Sequence, residues 1–173
     1  MVKLLRPDSS RREVWLAMAA EFGGEHIDGS AMNRRTVDEL ADPVAFEIWV
    51  REQEAHERGE DVPEGWVPSS LRWIVEGEDI LGTIDLRHVL NEWLLAEGGH
   101  IGYAVRPTAR RRGVASRALA LMLEECRGRG INPVLLICDN DNVGSARTIE
   151  ANGGVLENVR DDRRRYWVTV SDR

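Results

Sequence analysis

The residues best equipped for chemistry lie together in the run Val105-Arg106-Pro107-Thr108-Ala109-Arg110-Arg111-Arg112-Gly113-Val114-Ala115-Ser116. A strand-like stretch ends at Val105 before Pro107, and a helical pattern begins near Gly113. A helix N-terminus carries unpaired main-chain N–H groups and a partial positive charge, so it binds phosphate readily. Gly113 and Ala115 keep side-chain bulk away from the place where phosphates approach the backbone. Arg110, Arg111 and Arg112 add positive charge around the same spot. The segment reads as a cradle for a diphosphate. Two better-known cradles are excluded. No Gly-Lys-Ser/Thr closes the loop as an ATP or GTP site requires, and no Gly-x-Gly-x-x-Gly indicates a nicotinamide cofactor.

The elements that must hold this loop follow from periodicity and punctuation. Residues 3–6 read as a first strand, stopped by Pro7. Ser9 or Ser10 can cap a helix whose apolar positions are Val14, Met18 and Phe22, ending at Gly23-Gly24. Asp42-Pro43 opens a second helix, with Ala45, Ile48, Trp49 and Ala55 as its expected buried stripe. Residues 60–70 form a loop that nevertheless carries Trp66 and Val67. Residues 71–76 and 80–88 make a hairpin around Gly77-Glu78-Asp79, residues 89–97 are irregular, and 100–105 form a strand. A helix over about 113–127 has the stripe Leu119, Met122, Leu123 and Cys126. Residues 134–138 are a continuous apolar run, as in a strand buried on both faces. A helix over about 143–151 and strands over 155–159 and 166–170 complete the chain. The order β-α-α-β-β-β-α-β-α-β-β predicts one α/β domain over residues 1–173. Its sheet is mixed, with helices on both faces, and parallel where strand 100–105 crosses over to strand 134–138.

Composition bounds the remaining possibilities. The net charge is −7, unevenly spread. Residues 1–100 hold 10 basic against 21 acidic side chains, a net of −11, and residues 101–173 hold 13 against 9, a net of +4. The C-terminal part suits an anion and the N-terminal part a cation. No apolar run reaches the roughly 18–20 residues needed to span a bilayer, and Arg6 and Asp8 interrupt the N-terminus too early for a signal peptide. The expected location is the cytoplasm, with no membrane partner. Cys126 and Cys138 read as buried thiols rather than a disulfide framework, and no metal-ligand spacing surrounds either. Arg163, Arg164 and Arg165 sit beside Asp161-Asp162 and read as a solvated turn. They lack the broad basic face that nucleic acid requires.

The cradle resembles motif A of the GNAT superfamily of N-acetyltransferases, whose pattern Arg/Gln-x-x-Gly-x-Gly/Ala is met by Arg110, Gly113 and Ala115. The preceding Val105-Arg106-Pro107 is typical of the same family. Downstream, Asn142-Val143-Gly144-Ser145 is similar to its Asn-x-x-Ser/Ala element, which opens the following helix; Asn142 reads equally well as a helix cap. Motifs and element order together extend the resemblance over essentially the whole chain. PEGWVPSS, LRH, GGHIGYAVRP, GGVLEN and RRYWV look like a bacterial branch of predicted acetyltransferases. Two positions depart from the family pattern. Ile149 stands where many members have a tyrosine that protonates the departing thiolate, and Gly154 stands where many have phenylalanine.

The resemblance implies a mostly antiparallel sheet whose central parallel pair, 100–105 and 134–138, splays apart around acetyl-CoA. It implies that the diphosphate lies on Arg110, Arg111, Arg112, Gly113, Val114, Ala115 and Ser116. The pantetheine arm would pair with the backbone near Tyr103 and Val105 and pass Asn142 and Ser145. A primary amine of a small molecule or peptide would attack the thioester directly, with no metal. An ammonium must lose a proton first, so a general base is useful. His100, on the cofactor strand, and His88, at the end of its neighbour, titrate in the right range, although a lone histidine is more often structural. Glu92 and Glu97 are alternatives. With Ile149 unable to donate a proton, Tyr103 or Tyr166 would have to do so. The acceptor pocket would come from residues 23–70 and 89–99; Trp66 and Trp93 lie on these pocket-side loops, although tryptophans are more often core than substrate-stacking residues. A homodimer is the family's common assembly. A second reading keeps the fold and acyl-CoA binding but makes the chain a non-catalytic sensor, as Ile149 allows.

Overall fold

The computed structural model describes residues 1–32 and 35–170. Strand β1 (Lys3–Leu5) leads through a single 3-10 turn, capped by the Asp8 carboxylate, into α1 (Arg12–Ala20). The cap is therefore Asp8 rather than Ser9 or Ser10, because its oxygen accepts from Ser10 N–H. A short helix that periodicity did not reveal, α2 (Val37–Leu40), is held by a reciprocal capping box between Thr36 and Glu39. Helix α3 (Pro43–Glu57) begins as expected, with the Asp42 side chain accepting from Ala45 N–H. Its buried stripe is Phe46, Trp49, Val50 and Gln53, and Ile48 is exposed. The expected stripe was rotated because Phe46, Trp49 and Trp15 pack into one aromatic cluster, with ring centroids 5.3–5.4 Å apart.

Strands β2 (Ser69–Glu76), β3 (Asp79–Arg87) and β4 (Ile101–Val105) follow, with one π-helical turn at Leu94–Gly98 between the last two. Then come α4 (Val114–Gly128), β5 (Val134–Asp139), α5 (Val143–Ala151), β6 (Val155–Arg160) and β7 (Arg163–Val168). The arginines at 163–165 belong to β7 and are paired. Arg163 meets Glu97 at 3.1 Å, Arg164 donates to Asn140, and Arg165 meets Glu157 at 3.0 Å.

The sheet is built as two antiparallel ladders, β1-β2-β3-β4 and β5-β7-β6. They meet where β4 and β5 begin. His100 N–H donates to the Leu135 carbonyl at 2.8 Å, and Leu135 N–H donates to His100 Nδ1 at 2.9 Å. Past this reciprocal pair the strands diverge, leaving a cleft between their ends. One core lies between the sheet and α4 and α5, around Ile84, Ile101, Leu119, Met122, Leu136 and Tyr166. The other lies between the opposite face and α1 and α3, around Trp15, Phe46, Trp49, Leu71 and Trp73. Cys126 and Cys138 are free and buried. Among the described residues no helix is long and apolar enough to cross a membrane, and no group of three or more His, Cys, Asp or Glu is placed to hold a metal.

Candidate functional site

The divergence of β4 and β5 opens a cleft of about 1310 Å³ that passes from one face of the sheet to the other. Its edge is set by strand register. Arg106 N–H bonds the Leu81 carbonyl and Arg87 N–H bonds the His100 carbonyl, so even-numbered residues of β4 face β3. By the alternation of an antiparallel ladder, Tyr103 and Val105 turn their main-chain groups the other way, into the cleft.

At one end of the cleft stands the N-terminus of α4. Its cap is Gly113, in the left-handed region at φ 74°, with no side-chain hydrogen bond to the first turn. A Cβ on Gly113 would meet nothing within 4 Å and would project into open space. Arg111 also sits in the left-handed region, at φ 59°, which costs a residue with a Cβ about 1–2 kcal/mol. The turn is anchored from α1. Glu21 accepts from Thr108 N–H at 3.1 Å and pairs with Arg106 at 2.8 Å. Arg110 donates through Nε to the Val105 carbonyl at 2.9 Å and lies over the Phe22 ring.

Of the cradle residues, Arg110, Arg111, Gly113, Val114, Ala115 and Ser116 line the cleft. Arg112 does not; its guanidinium pairs with Glu76 at 3.1 Å, outside the cleft. Ser116 is tied to the end of α5 through Asn152 Nδ2 at 3.1 Å. On the β5 side, Asn142 Oδ1 accepts from Ser145 N–H at 3.0 Å and so caps α5 while lining the cleft. The Tyr103 hydroxyl and Ser145 Oγ are 2.8 Å apart, bridging the two diverging walls. Burial pushes the Tyr103 phenol up to about 12. Tyr166 is fully buried and donates to Glu150 at 2.9 Å, away from the cleft.

The two candidate histidines, His100 and His88, are not among the cleft-lining residues, although His26 and His56 are. His100 is buried, and its Nδ1 is engaged by Leu135. Burial, with Arg87 nearby, lowers its pKa to about 4, so it is neutral at pH 7 and acts as the pin between the two ladders. His88 Nε2 lies 2.8 Å from Ser70 Oγ, which also accepts from Arg129. Burial and Arg129 depress its pKa too. It adjoins the ion network in which Arg72 pairs with Glu57 at 2.7 Å and with Glu125 at 3.0 Å. Ile149 is buried in the core, and a Cβ on Gly154 would run into it. Glu97 lines the cleft and Glu92 does not.

The far half of the cleft comes from 25–31, 53–69 and 91–98, with Trp66 and Trp93 in its wall. Trp93 is 63% exposed, so it is not a core residue. Gly29, at φ 66°, lies so close that a Cβ would overlap the Gly102 carbonyl, and Thr83 Oγ1 holds its carbonyl at 2.7 Å. Beneath this loop is Asp85 of β3, opposite Gly102, a residue that motif reading did not single out. It is buried, and one signal was available: an acid inside the apolar stretch Ile84-Asp85-Leu86.

Comparison with known proteins agrees with this geometry. The structure resembles the microcin C7 self-immunity acetyltransferase MccE in complex with acetyl-CoA and AMP, with a TM-score of 0.68 at 16% identity, covering 97% of this chain and 92% of that one. Mycobacterium smegmatis RimJ in complex with CoA-disulfide gives 0.74 at 16%, covering 97% and 81%. The ribosomal-protein-S5-alanine acetyltransferase of Vibrio fischeri gives 0.69 at 15%, covering 99% and 93%. At such identities the likeness is one of fold. No curated protein sequence matches the chain. The sequence model of one family matches residues 35–153, well over half the length, and by that match the chain belongs to the acetyltransferase (GNAT) family.

Proposed function

We propose that this protein, acting as one domain, transfers the acetyl group of acetyl-CoA to a primary amine of a small molecule or peptide. The observation that carries the reading is the open edge of β4 leading to an uncapped helix N-terminus. The main-chain groups of Tyr103 and the N–H of Val105, whose carbonyl is held by Arg110, face the cleft and suit the amides of a pantetheine arm, which would complete the ladder as an added strand. The first turn of α4 at Gly113, Val114, Ala115 and Ser116, with Arg110 and Arg111 beside it, suits the diphosphate. The position of Arg112 against Glu76 leaves it outside this set. Solved structures of the same fold carry acetyl-CoA or CoA.

Acetyl-CoA supplies an activated acyl carbon as its thioester. The chain's contribution is to bring that carbon and the amine together, which is the largest available rate term. Main-chain N–H groups of β4 polarise the thioester oxygen. Tyr103 faces the cleft with a proton held more tightly than a thiol's, about 12 against an ordinary value of about 8.5. It therefore donates a hydrogen bond to the departing sulfur, whose proton comes from the attacking nitrogen. His100 and His88 hold the sheet in shape and take no part in proton transfer.

A screen of primary amines with acetyl-CoA, reading released thiol and confirming the product by mass, tests the proposal. CoA binding without transfer to any amine favours the sensor reading, which Ile149 in the core keeps alive. No affinity for CoA ends both readings.

A further inference from the structure

Asp85 is 95% buried, lines the far half of the cleft, and among the described residues its Oδ1 has no hydrogen-bond partner. An unsatisfied carboxylate oxygen in such a place costs free energy, on the order of 1–3 kcal/mol or more. Its other oxygen, Oδ2, meets Arg87 Nε at 3.3 Å. Arg87 in turn donates to the Gly98 carbonyl at 3.3 Å. The Trp93 ring lies against Gly98, where a Cβ would stand 2.8 Å from Cζ3. Gly102 keeps this floor bare, since a Cβ there would press on the Arg87 guanidinium at 3.2 Å. Trp93, Gly98, Arg87 and Asp85 thus adjoin one another along the cleft, and behind them the Asp85 Oδ1 is buried and unpartnered.

We propose that Asp85 receives the acceptor amine: its Oδ1 binds the ammonium group of a primary alkylamine and takes the proton which that nitrogen must lose before attack. The inference rests on the acetyltransfer reading and names the substrate class at its far end. Glu25 and Asp28 also line the cleft on the acceptor-side segments, where Arg87 is paired with Asp85 and Arg163 with Glu97. Burial raises the Asp85 pKa, and Arg87, Ser69, Arg72 and His56 oppose that rise. A carboxylate in this condition is a better proton acceptor than an exposed one. The balance is simple. One ammonium proton passes to Asp85 and on to solvent, the freed lone pair forms the C–N bond, the C–S bond breaks, and the second nitrogen proton leaves with the thiol.

The test uses the full chain labelled with carboxyl-13C aspartate, the Asp85 resonance being the one lost in Asp85→Asn. Titration with n-butylammonium is expected to shift that resonance saturably. Choline, which carries the charge without N–H donors, is expected to bind at least about ten times more weakly. No shift, or an equal response to both ions, overturns the ammonium site. In turnover, Asp85→Asn is expected to slow transfer to butylamine by about 100-fold or more. Transfer to aniline, already neutral at pH 7, should change less than about fivefold; equal losses overturn the proton-acceptor role. Asp85→Glu, which keeps a carboxylate, should recover part of the butylamine rate, and thermal melting of both variants identifies any unfolding. CoA affinity, measured by calorimetry on the same samples, separates the two levels. A wild-type chain that binds no CoA, or transfers to no amine of the wider screen, defeats the acetyltransfer reading, while the response to butylammonium still decides the site.

Discussion

The two ends of the seam between β4 and β5 are built on opposite principles. At the closed end Gly99, at φ 65°, brings the backbone so near β5 that a Cβ would stand 2.8 Å from the Leu135 carbonyl. There His100 exchanges two hydrogen bonds with Leu135. Three residues further along β4 the same strands have parted, and Tyr103 reaches across to α5, its hydroxyl 2.8 Å from Ser145 Oγ. The closed end satisfies its polar groups internally and is finished as a structure. The open end leaves main-chain groups of Tyr103 and Val105 facing a cleft and ends at a helix cap without a side chain. A strand edge this incomplete calls for a ligand to complete it, and the reciprocal pair at its base keeps it from closing by slippage.

The strongest way to break that contrast is to spoil the open end. Gly113→Asp places a carboxylate at the N-terminus of α4, on a Cβ directed into open space, and also strains a left-handed residue. CoA affinity measured by calorimetry should fall by at least about 100-fold, or ~2.8 kcal/mol, with little change in melting temperature beyond the backbone strain. Unchanged affinity would remove the diphosphate from this turn. Spoiling the closed end has the complementary signature. His100→Ala leaves Leu135 N–H buried without its acceptor, at a cost of about 2 kcal/mol of folding stability in chemical denaturation. His100→Asn, which can place Oδ1 near the lost Nδ1, should recover part of it. If His100 were instead the general base, turnover would collapse while stability held.

How far the sequence discloses this arrangement depends on whether a feature is local. Helix α4, its glycine cap and the strand before it are legible because the phosphate-binding turn is written in consecutive residues. The order of elements is legible for the same reason, through periods of two and of about 3.6. What escaped depends on partners distant in the chain. Arg112 looks like its neighbours in sequence, yet Glu76 draws it out of the cleft. His100 sits on the right strand for a base, but which atom of its ring is free was decided by Leu135, 35 residues away. Asp85 became a candidate only once β2, β4 and the loop at Gly29 had buried it. The stripe of α3 was misjudged because Phe46 met Trp15 and Trp73, contacts that no helical period contains.

Titration sharpens the same comparison with a smaller effect. His100 has a folded pKa of about 4, lowered by burial and by Arg87, against an ordinary value of 6.5. Protonation therefore favours the unfolded chain. Its contribution to stability is intact above pH 6.5, declines as pH falls from 6.5 toward 4, and levels off below that. Glu57 runs over a lower window. Burial raises its pKa, but Arg72 and Arg6 outweigh that and hold it at about 2, so its stabilising effect is present above its ordinary 4.5 and lost as pH falls toward 2. Denaturation curves between pH 7 and 5 should show a loss that His100→Asn reduces, leaving the part due to His88, whose pKa is also lowered by burial and Arg129, and that Glu57→Gln leaves in place.

The mildest intervention touches the bridge at the open end. Tyr103→Phe removes the hydroxyl that meets Ser145 but keeps the ring against the α4 and α5 core. Folding stability should drop by about 1 kcal/mol, the net worth of one hydrogen bond, and CoA affinity should change less than about threefold. If the hydroxyl also serves the departing sulfur, single-turnover transfer should slow by about tenfold, a loss unrelated to binding. A variant that transfers at the wild-type rate would assign Tyr103 to holding the walls of the cleft together. The closed and open ends would then differ in how many bonds span them, and the sulfur would rely on solvent for its hydrogen bond.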